Sequence, residues 1–378
     1  MISKDEIIFG ISKRFHVESI TGTQPPSSGD WVIDDITIIK NDDIIVNGSI
    51  IINNGGALIL ENSTIRMNLN YPGQYKITVN SGGNLTIDNS KITAFNTTNY
   101  YTIEVLSGAV FSTNSSTIEY AGYFDYNTYT DYLGVKIETS NIVINKTIFR
   151  KFGSMMVYLQ NCENVTIKNS KFEGVFNNHV GLYIENSINI KVINSTFIDA
   201  YEVILDSKNI LFLSNKISQM NVAVSLGVLV RNSLSITFNN NSLIKNNIRV
   251  YGNRTVFETL NIYKNNTVNG LPIRFYYNVS SMNFINSTYG ELIIAYSQDI
   301  VLSNIIVHGV EICYSENVNI SEIQSTLADF GILVANSTKV KITNNVINEA
   351  DNWGINIVLN SDDIIVKDNM LMKSYRSV

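Results

Sequence analysis

Five charged residues of this 378-residue chain follow three regularly spaced phenylalanines. If the phenylalanines stack on one another, these charged residues lie close together and could act on one substrate. Phe149, Phe172 and Phe197 recur roughly 24 residues apart, and the segments that follow them would then lie on one side of three successive turns of chain. These segments supply the catalytic candidates Arg150, Lys151, Glu173, Asp199 and Glu202. Two carboxylates about 5 to 9.5 Å apart suit glycoside hydrolysis, and a base beside acidic groups suits proton abstraction in a lyase. The alternative is that they are ordinary solvated charges on exposed turns.

A tyrosine-rich insertion between Val110 and Ile142 is the second candidate site. From Tyr120 onward a tyrosine recurs at every third position, with acidic residues between. Loops that project from a rigid scaffold often carry binding, and aromatic rings beside carboxylates suit the C–H faces and hydroxyls of sugars. The predicted binding residues are Tyr123, Asp125, Tyr126, Tyr129, Asp131 and Tyr132. The alternative is that the rings only pack the loop onto a neighbouring turn.

Other chemistries find little support in the sequence. The three histidines are far apart and do not have metal-ligand spacing, so we expect no metal site. No phosphate-binding loop, dinucleotide motif or nucleophile elbow occurs, and we expect no cofactor. Cys162 and Cys313 are predicted to lie about 30 Å apart along a repeat axis, too far to form a disulfide.

A repeat must position these candidates, and it is clearest from Val180 to Ala200. Two short alternating runs, with Leu182 and Ile184 in the first, are joined by an asparagine corner, and the pattern returns every 18 to 27 residues or so. Short runs rich in Ile, Val and Thr favour strands. The sequence therefore predicts an all-β parallel β-helix of about 13 turns. One inward column is predicted to comprise Val165, Ile190, Ile210, Ile236, Val340 and Ile364.

Asparagines are predicted at the corners because asparagine tolerates the left-handed backbone region better than other non-glycine residues. Stacked asparagines can also form hydrogen-bonded ladders along the axis. Asp206 falls at the same corner position and is therefore excluded as a catalytic candidate. The predicted corners include Asn161, Asn186, Asn232, Asn336 and Asn360, with a second column of Asn169, Asn194 and Asn344.

The chain divides into residues 1–29 and a β-helical domain over residues 30–378. In the first part Ile7, Ile11 and Phe15 have helical spacing, which predicts a short capping helix; a linker is the alternative. No capping helix follows Leu371, so either the chain has been cut from a longer one or another subunit covers this end by self-association.

Composition excludes several classes of partner. A net charge of −6 and a pI near 5.2 argue against binding to nucleic acid. The sequence has no apolar run of about 18 residues that could span a membrane, so we expect no membrane insertion. Asn-X-Ser/Thr sequons predict an exported glycoprotein, or arise by chance in a chain rich in these residues. They include Asn47, Asn62, Asn84, Asn96, Asn114, Asn145, Asn164, Asn194, Asn253, Asn278 and Asn319.

The asparagine-cornered repeats resemble the right-handed parallel β-helix of pectate-lyase-like proteins. Asn265 to Ser281, NNTVNGLPIRFYYNVSS, is similar to segments of the NosD-like carbohydrate-binding and sugar-hydrolase repeats of archaeal surface proteins. The resemblance covers about Asp30 to Leu371 and implies a right-handed β-helix. It does not imply one activity, because the family spans enzymes, surface-layer proteins and accessory factors. The catalytic motifs of polygalacturonases and pectate lyases are not found: His308 lies in VHGV, and Trp31 is followed by VIDD. No catalytic residue therefore follows from the resemblance.

The sequence favours an extracellular surface protein with a structural or adhesive role that binds a glycan or cell-surface polysaccharide. A polysaccharide lyase or glycoside hydrolase acting on an acidic polysaccharide is the main alternative. A viral receptor-binding spike is the third.

Overall fold

The computed structural model describes residues 19–125, 130–174, 180–218 and 227–373, which form a parallel β-helix of about 14 turns. The predicted all-β solenoid is confirmed. The first ten turns each cross three parallel sheets in the order sheet B, sheet A, sheet C. The N-terminal segment containing the predicted capping helix lies outside the described residues.

The strands of the three sheets are as follows. Sheet A contains Ile36–Lys40, Ala57–Glu61, Asn84–Asp88, Val110–Asn114, Val143–Asn145, Glu163–Lys168, Ile188–Ile193, Lys208–Leu213, Leu234–Asn239 and Asn261–Ile262, with Ile20–Thr21 added antiparallel at its edge. Sheet B contains Trp31–Ile33, Ile50–Ile52, Lys76–Val79, Thr102–Val105, Val135–Ile137, Val157–Gln160, Val180–Glu185, Tyr201–Leu205, Val228–Arg231 and Ile248–Tyr251. Sheet C contains Asp43–Val46, Thr64–Met67, Lys91–Ala94, Thr117–Glu119, Ile148–Arg150, Lys171–Glu173, Thr196–Ile198, Lys216–Ser218, Ser242–Ile244 and Thr267–Val268.

Side chains of the same kind stack along the axis because each strand pairs in register with the next. The predicted row Val165, Ile190, Ile210 and Ile236 is present in sheet A, and its members are buried. In sheet C, Phe149 stacks on Phe172 at 4.9 Å between ring centroids, and Phe172 on Phe197 at 4.5 Å. Each ring adds an offset-stacking contact to its buried area.

The corner between sheet A and sheet C has a fixed form. Asn145 donates to Asn114 at 2.6 Å, Asn169 to Asn145 at 3.1 Å, and Asn194 to Asn169 at 2.8 Å. Asn169 and Asn194 have φ of 53° and 48°, as predicted for left-handed corners. The corner between sheet B and sheet A follows the same rule, with Asn161, Asn186 and Asp206 at positive φ.

The path changes at Asn269 and Gly270, whose φ angles are 48° and 81°. They form a tight hairpin in which Val268 pairs antiparallel with Leu271. The chain then forms a second solenoid from strands Leu271–Tyr277, Asn283–Ala295, Gln298–Cys313, Glu316–Ala335, Thr338–Thr343, Val346–Val358, Asp362–Lys367 and Met370–Met372. It has a hydrophobic core of its own.

Two predicted members of the inward column belong to this second solenoid. Val340 and Ile364 form a row with Val318 in the second solenoid, not with Val165 in sheet A. The prediction of one continuous column was wrong at this point because the hairpin interrupts the stack.

The short helix Arg254–Thr259 lies between the last strand of sheet B and the last strand of sheet A. Asn253 caps its first turn by accepting a hydrogen bond from the Val256 amide. Phe257 is buried and packs edge-on against Tyr296 and Tyr314 of the second solenoid. The helix therefore helps to hold the two solenoids together.

Candidate functional site

The corner from sheet C to sheet B is where the solenoid varies in length. The first nine turns from sheet A to sheet C have two residues between their strands and the tenth has four, whereas the connections from sheet C to sheet B range from two residues to 15. The longest contains the antiparallel hairpin Tyr123–Asp125 with Thr130–Tyr132. Both predicted sites border this corner, which we call the loop corner.

A buried carboxylate organises the outer face of sheet C beside the loop corner. Glu119 has a side chain only 3% exposed, and it accepts hydrogen bonds from Arg150 at 2.9 Å and from Thr93 at 3.1 Å. It also forms an ion pair with Lys91, and Lys151 lies 3.8 Å away. Burial would raise the pKa of Glu119, but the hydrogen bonds from Lys91 and Arg150 outweigh it, so the pKa is lowered. Glu119 is therefore a negatively charged anchor for three cations.

The face around Glu119 is locally positive although the whole chain carries −6. We call it the cationic strip; among its described residues, five cations stand against three carboxylates. The cations are Arg66, Lys91, Arg150, Lys151 and Lys171, with side chains 34% to 45% exposed, and the carboxylates are Asp43, Glu119 and Glu173. Because the central carboxylate is buried and the cations reach solvent, the strip presents mainly positive charge.

Tyrosines border the cationic strip at the loop corner. Tyr100 and Tyr120 are half-buried with ring centroids 6.4 Å apart, and the Lys151 ammonium lies 4.9 Å from the Tyr120 centroid. Tyr123 begins the hairpin, and its hydroxyl packs against Gly73, where an added Cβ would lie 2.1 Å away. The corner thus places aromatic rings next to cations.

Only part of the predicted tyrosine loop can be placed. Asp125, Asp131 and Tyr132 lie in the hairpin strands, and their side chains lie outside the described residues. Tyr126 and Tyr129 also lie outside the described residues. Their role in binding stays a prediction.

The structure brings some of the catalytic candidates together and separates others. Arg150 and Glu173 are in-register neighbours, and Glu173 forms an ion pair with Lys171. Asp199 directly follows Ile198, the residue that pairs with Glu173. It lies in a left-handed turn with φ of 49° and is 8% exposed.

Glu202 does not share this face. It lies in sheet B and pairs with Leu182 on one side and Val228 on the other, so it points into the core and is fully buried. Neither carboxyl oxygen has a hydrogen-bond partner in the described part of the chain. The predicted grouping of Glu202 with the other candidates was wrong because strand Tyr201–Leu205 belongs to sheet B, whereas Arg150 and Glu173 lie in sheet C.

A polar cluster that sequence reasoning missed lies on the outer face of sheet B. The Tyr158 hydroxyl donates to Glu185, and Gln160 donates to the same carboxylate at 3.3 Å. Tyr183 packs edge-on against Tyr158 with centroids 5.2 Å apart. Burial, followed by the Glu185 hydrogen bond, raises the pKa of Tyr158 far above its usual value. The signal was present in the sequence, since MVYLQNC and GLYIENS place a tyrosine at the same repeat position.

No group of three or more His, Cys, Asp or Glu side chains that could hold a metal occurs among residues 19–125, 130–174, 180–218 and 227–373. In the same ranges, no helix is both long enough and apolar enough to cross a bilayer.

Comparison with known proteins gives structural likeness only. No protein family and no curated protein matches the chain. A mutant of the periplasmic alginate epimerase AlgG is similar over 89% of this chain and 78% of that chain, with 9% identity and a TM-score of 0.41. PfbA, a surface adhesin of Streptococcus pneumoniae, is similar over 89% and 82%, with 13% identity and a TM-score of 0.31. Tailspike protein 2 from Escherichia coli O157:H7 bacteriophage CAB120 is similar over 64% of this chain and 38% of that chain, with 16% identity and a TM-score of 0.30. These TM-scores are too low for the likeness to indicate a function.

Proposed function

We propose that the protein binds an acidic polysaccharide along the cationic strip and the loop corner, and acts as an adhesive or structural protein at an extracellular surface. The observation that carries the proposal is the arrangement around Glu119. One buried carboxylate holds cations whose side chains are about one-third to nearly one-half exposed, so their outer hydrogen-bonding positions face solvent. Carboxylates or sulfates of a glycan are suitable partners for such groups.

The strip suits a chain rather than a single sugar. Arg66 and Lys171 lie four β-helix turns apart, which is about 19 Å at about 4.8 Å per turn. A linear polyanion could contact several cations at once, and each exposed contact would contribute modestly. Binding through many weak ionic contacts should decrease as ionic strength rises.

The aromatic groups supply the other part of a glycan site. Tyr120 and Tyr123 border the strip, while Tyr158 and Tyr183 lie on the sheet that begins on the other side of the loop corner. Aromatic rings accept the apolar C–H faces of sugars, and Glu185 can accept hydrogen bonds from sugar hydroxyls. We place the preferred contacts of the sugar rings on these tyrosines.

Binding is preferred to cleavage for a geometric reason. Glycoside hydrolysis needs a protonated carboxyl opposite a second carboxylate. Glu119 is held ionised, Glu173 pairs with Lys171, and Glu202 points into the core. Cleavage stays a second candidate because of the Tyr158–Glu185 pair, whose phenol remains protonated at neutral pH and could act as a proton donor.

The test compares an acidic with a neutral polysaccharide by isothermal titration calorimetry, using a polyuronate and dextran. The double variant Lys151→Ala with Lys171→Ala should weaken polyuronate binding about 2- to 30-fold, because each change removes one exposed ionic contact. A matched control, Lys191→Ala with Lys208→Ala, removes the same charge from the exposed face of sheet A and should leave binding unchanged. Equal binding of dextran, or equal losses in the two double variants, would rule out the proposed site.

Cleavage is tested separately by following the release of reducing ends or of unsaturated products from the polyuronate. Tyr158→Phe should abolish any such activity if Tyr158 is the proton donor. A polyuronate that binds and stays intact would leave adhesion as the function.

A further inference from the structure

The second solenoid covers the open end of sheet B. Strand Ile248–Tyr251 is the last strand of that sheet. Its outer backbone N–H groups therefore have no following strand whose carbonyl groups could accept their hydrogen bonds. Two carboxylates of the second solenoid take that place. Glu291 accepts from the Ile248 amide at 3.0 Å, and the Val250 amide lies close enough to Glu311 to lower the pKa of its carboxyl. These glutamates terminate the sheet as an extra strand would.

The charged groups in the contact around these glutamates are buried. Glu291 and Glu311 are 2% and 3% exposed, and Arg249 is 6% exposed with its guanidinium carbon 3.8 Å from the Phe330 centroid. Asn247 donates to the second oxygen of Glu291 at 3.0 Å. Outward residues of the second solenoid complete the core of the first one, namely Ile293, Ala295, Cys313 and Ala335.

We propose that this contact is a pH-sensitive latch, in which the second solenoid docks on the end of the first and is released locally as Glu291 and Glu311 ionise. Among the residues whose side chains are described, the charged and titratable groups that face the two carboxyls are Arg249 and Tyr251 from the first solenoid and Cys313 from the second. Within the described residues of the contact, one cation therefore faces two acids. When both acids are ionised, the contact buries a negative charge in excess.

The direction follows from proton linkage. Burial raises the pKa of Glu291 to about 8 and that of Glu311 to about 7, whereas an exposed glutamate titrates near 4.5. Burial lowers the pKa of Arg249 to about 10, so it stays cationic over this range. The docked form binds more protons between pH 4.5 and about 8, and docking weakens as pH rises through this window. Each carboxyl changes the docking equilibrium about tenfold per pH unit where it titrates.

Native-state hydrogen exchange tests the latch in the full chain. The amides of Ile248–Tyr251 should lose about 100- to 1,000-fold of their protection between about pH 6 and about pH 8, after correction for intrinsic exchange, because Glu291 contributes about 50-fold and Glu311 about tenfold. Amides of Ile188–Ile193, in the middle of sheet A, serve as the internal reference. Wild-type protection that changes equally in the two segments would overturn the proposal without any variant.

The variants then assign the effect to the two glutamates. Glu291→Gln with Glu311→Gln should remove the extra pH dependence of Ile248–Tyr251, because glutamine still accepts the amide bonds and does not ionise. Glu322→Gln, an exposed site on the same solenoid, is the control and should behave as the wild type. A folded double variant that keeps the pH dependence would refute the latch. If the double variant does not fold, Glu311→Gln alone should make the loss of protection between about pH 6 and about pH 8 about tenfold smaller.

Discussion

Replacing Glu202 by leucine should stabilise the protein. Glu202 occupies an inward position between Leu182 and Val228, both of which are fully buried. Burial raises the pKa of its carboxyl well above the usual value, so at moderate pH the group is protonated and without a partner in the described part of the chain. A buried polar group without a hydrogen bond is unfavourable, and leucine fits the aliphatic column at a similar size.

The expected gain has two parts. Removing the unsatisfied carboxyl relieves about 1 to 3 kcal/mol, and the apolar side chain contributes about 1.5 to 3 kcal/mol by burial, less any misfit of shape. We therefore expect about 2 to 4 kcal/mol for Glu202→Leu near pH 5. The folded pKa lies above the unfolded one, so the wild type loses about 1.4 kcal/mol per pH unit above about 4.5 at this site. The advantage of the leucine variant should grow by that amount until the folded pKa is reached.

Urea unfolding followed by circular dichroism, at about pH 5 and about pH 8, measures both the gain in the free energy of unfolding and its pH dependence. Glu202→Gln is the matched control: it keeps the size and the unsatisfied polar group but removes the titration, so it should lose the pH dependence without the full gain. Titration at Glu291 and Glu311 is common to all three proteins and cancels in the differences. A leucine variant less stable than the wild type, or with the same pH dependence, would refute the buried and unpaired position of Glu202.

Three further changes probe the corner and the strip, each by the same unfolding measurement. Glu119→Gln should lower the free energy of unfolding by about 1 to 3 kcal/mol because it leaves the neighbouring cations unpaired. Because the folded pKa of Glu119 is lowered, this loss should disappear as pH falls below that pKa. A constant loss down to low pH would contradict the ionised state of Glu119. Asn169→Ala should cost about 1 to 3 kcal/mol, through left-handed strain and the lost bond to Asn145, and a neutral result would mean the ladder is not stabilising. Gly174→Ala should destabilise by about 1 to 3 kcal/mol because its Cβ would lie 1.9 Å from the Asp199 carbonyl oxygen, and tolerance would show that the turn can shift.

The repeat predicted the stacking of the turns well because the residue type at each repeat position indicates whether that position lies in a strand or at a corner. Period-2 runs ending in asparagine gave the inward rows, the left-handed corners and the stacked rings of Phe149, Phe172 and Phe197. These features depend on residues one turn apart, and the sequence lists those residues at nearly constant spacing.

The placement of Glu202 could have been predicted from its corner. Asp206 occupies the same corner as Asn186, and counting four residues back from each aligns Glu202 with Leu182. A residue count that starts at Phe197 crosses the loop corner, where the connections between strands differ in length, and it therefore misplaces Glu202. The strand pairing there also shifts between Val180 and Leu182. Register predicted across a variable connection is unreliable for this physical reason.

The latch could not be predicted in this way. Glu291 and Glu311 alternate with core residues just as solvent-facing residues do, and their burial depends on a contact with a strand more than 40 residues earlier in the chain. The Asn269–Gly270 pair is a strong hairpin signal, but it also resembles the asparagine and glycine corners used throughout the first solenoid. Local sequence does not distinguish a corner that continues the stack from one that reverses the strand.

The fixed corners explain why any binding site should be built at the loop corner. The first nine turns between sheet A and sheet C hold two residues, and their asparagines hydrogen-bond to the turns on either side, so an insertion there would break the ladder. A connection from sheet C to sheet B can lengthen without changing the register of the strands that flank it, as the hairpin beginning at Tyr123 does. The stack then acts as a rigid support that holds the Glu119 cations on one side of the corner and the Tyr158 pair on the other. Variation in binding can therefore arise at this corner while the core rows remain unchanged.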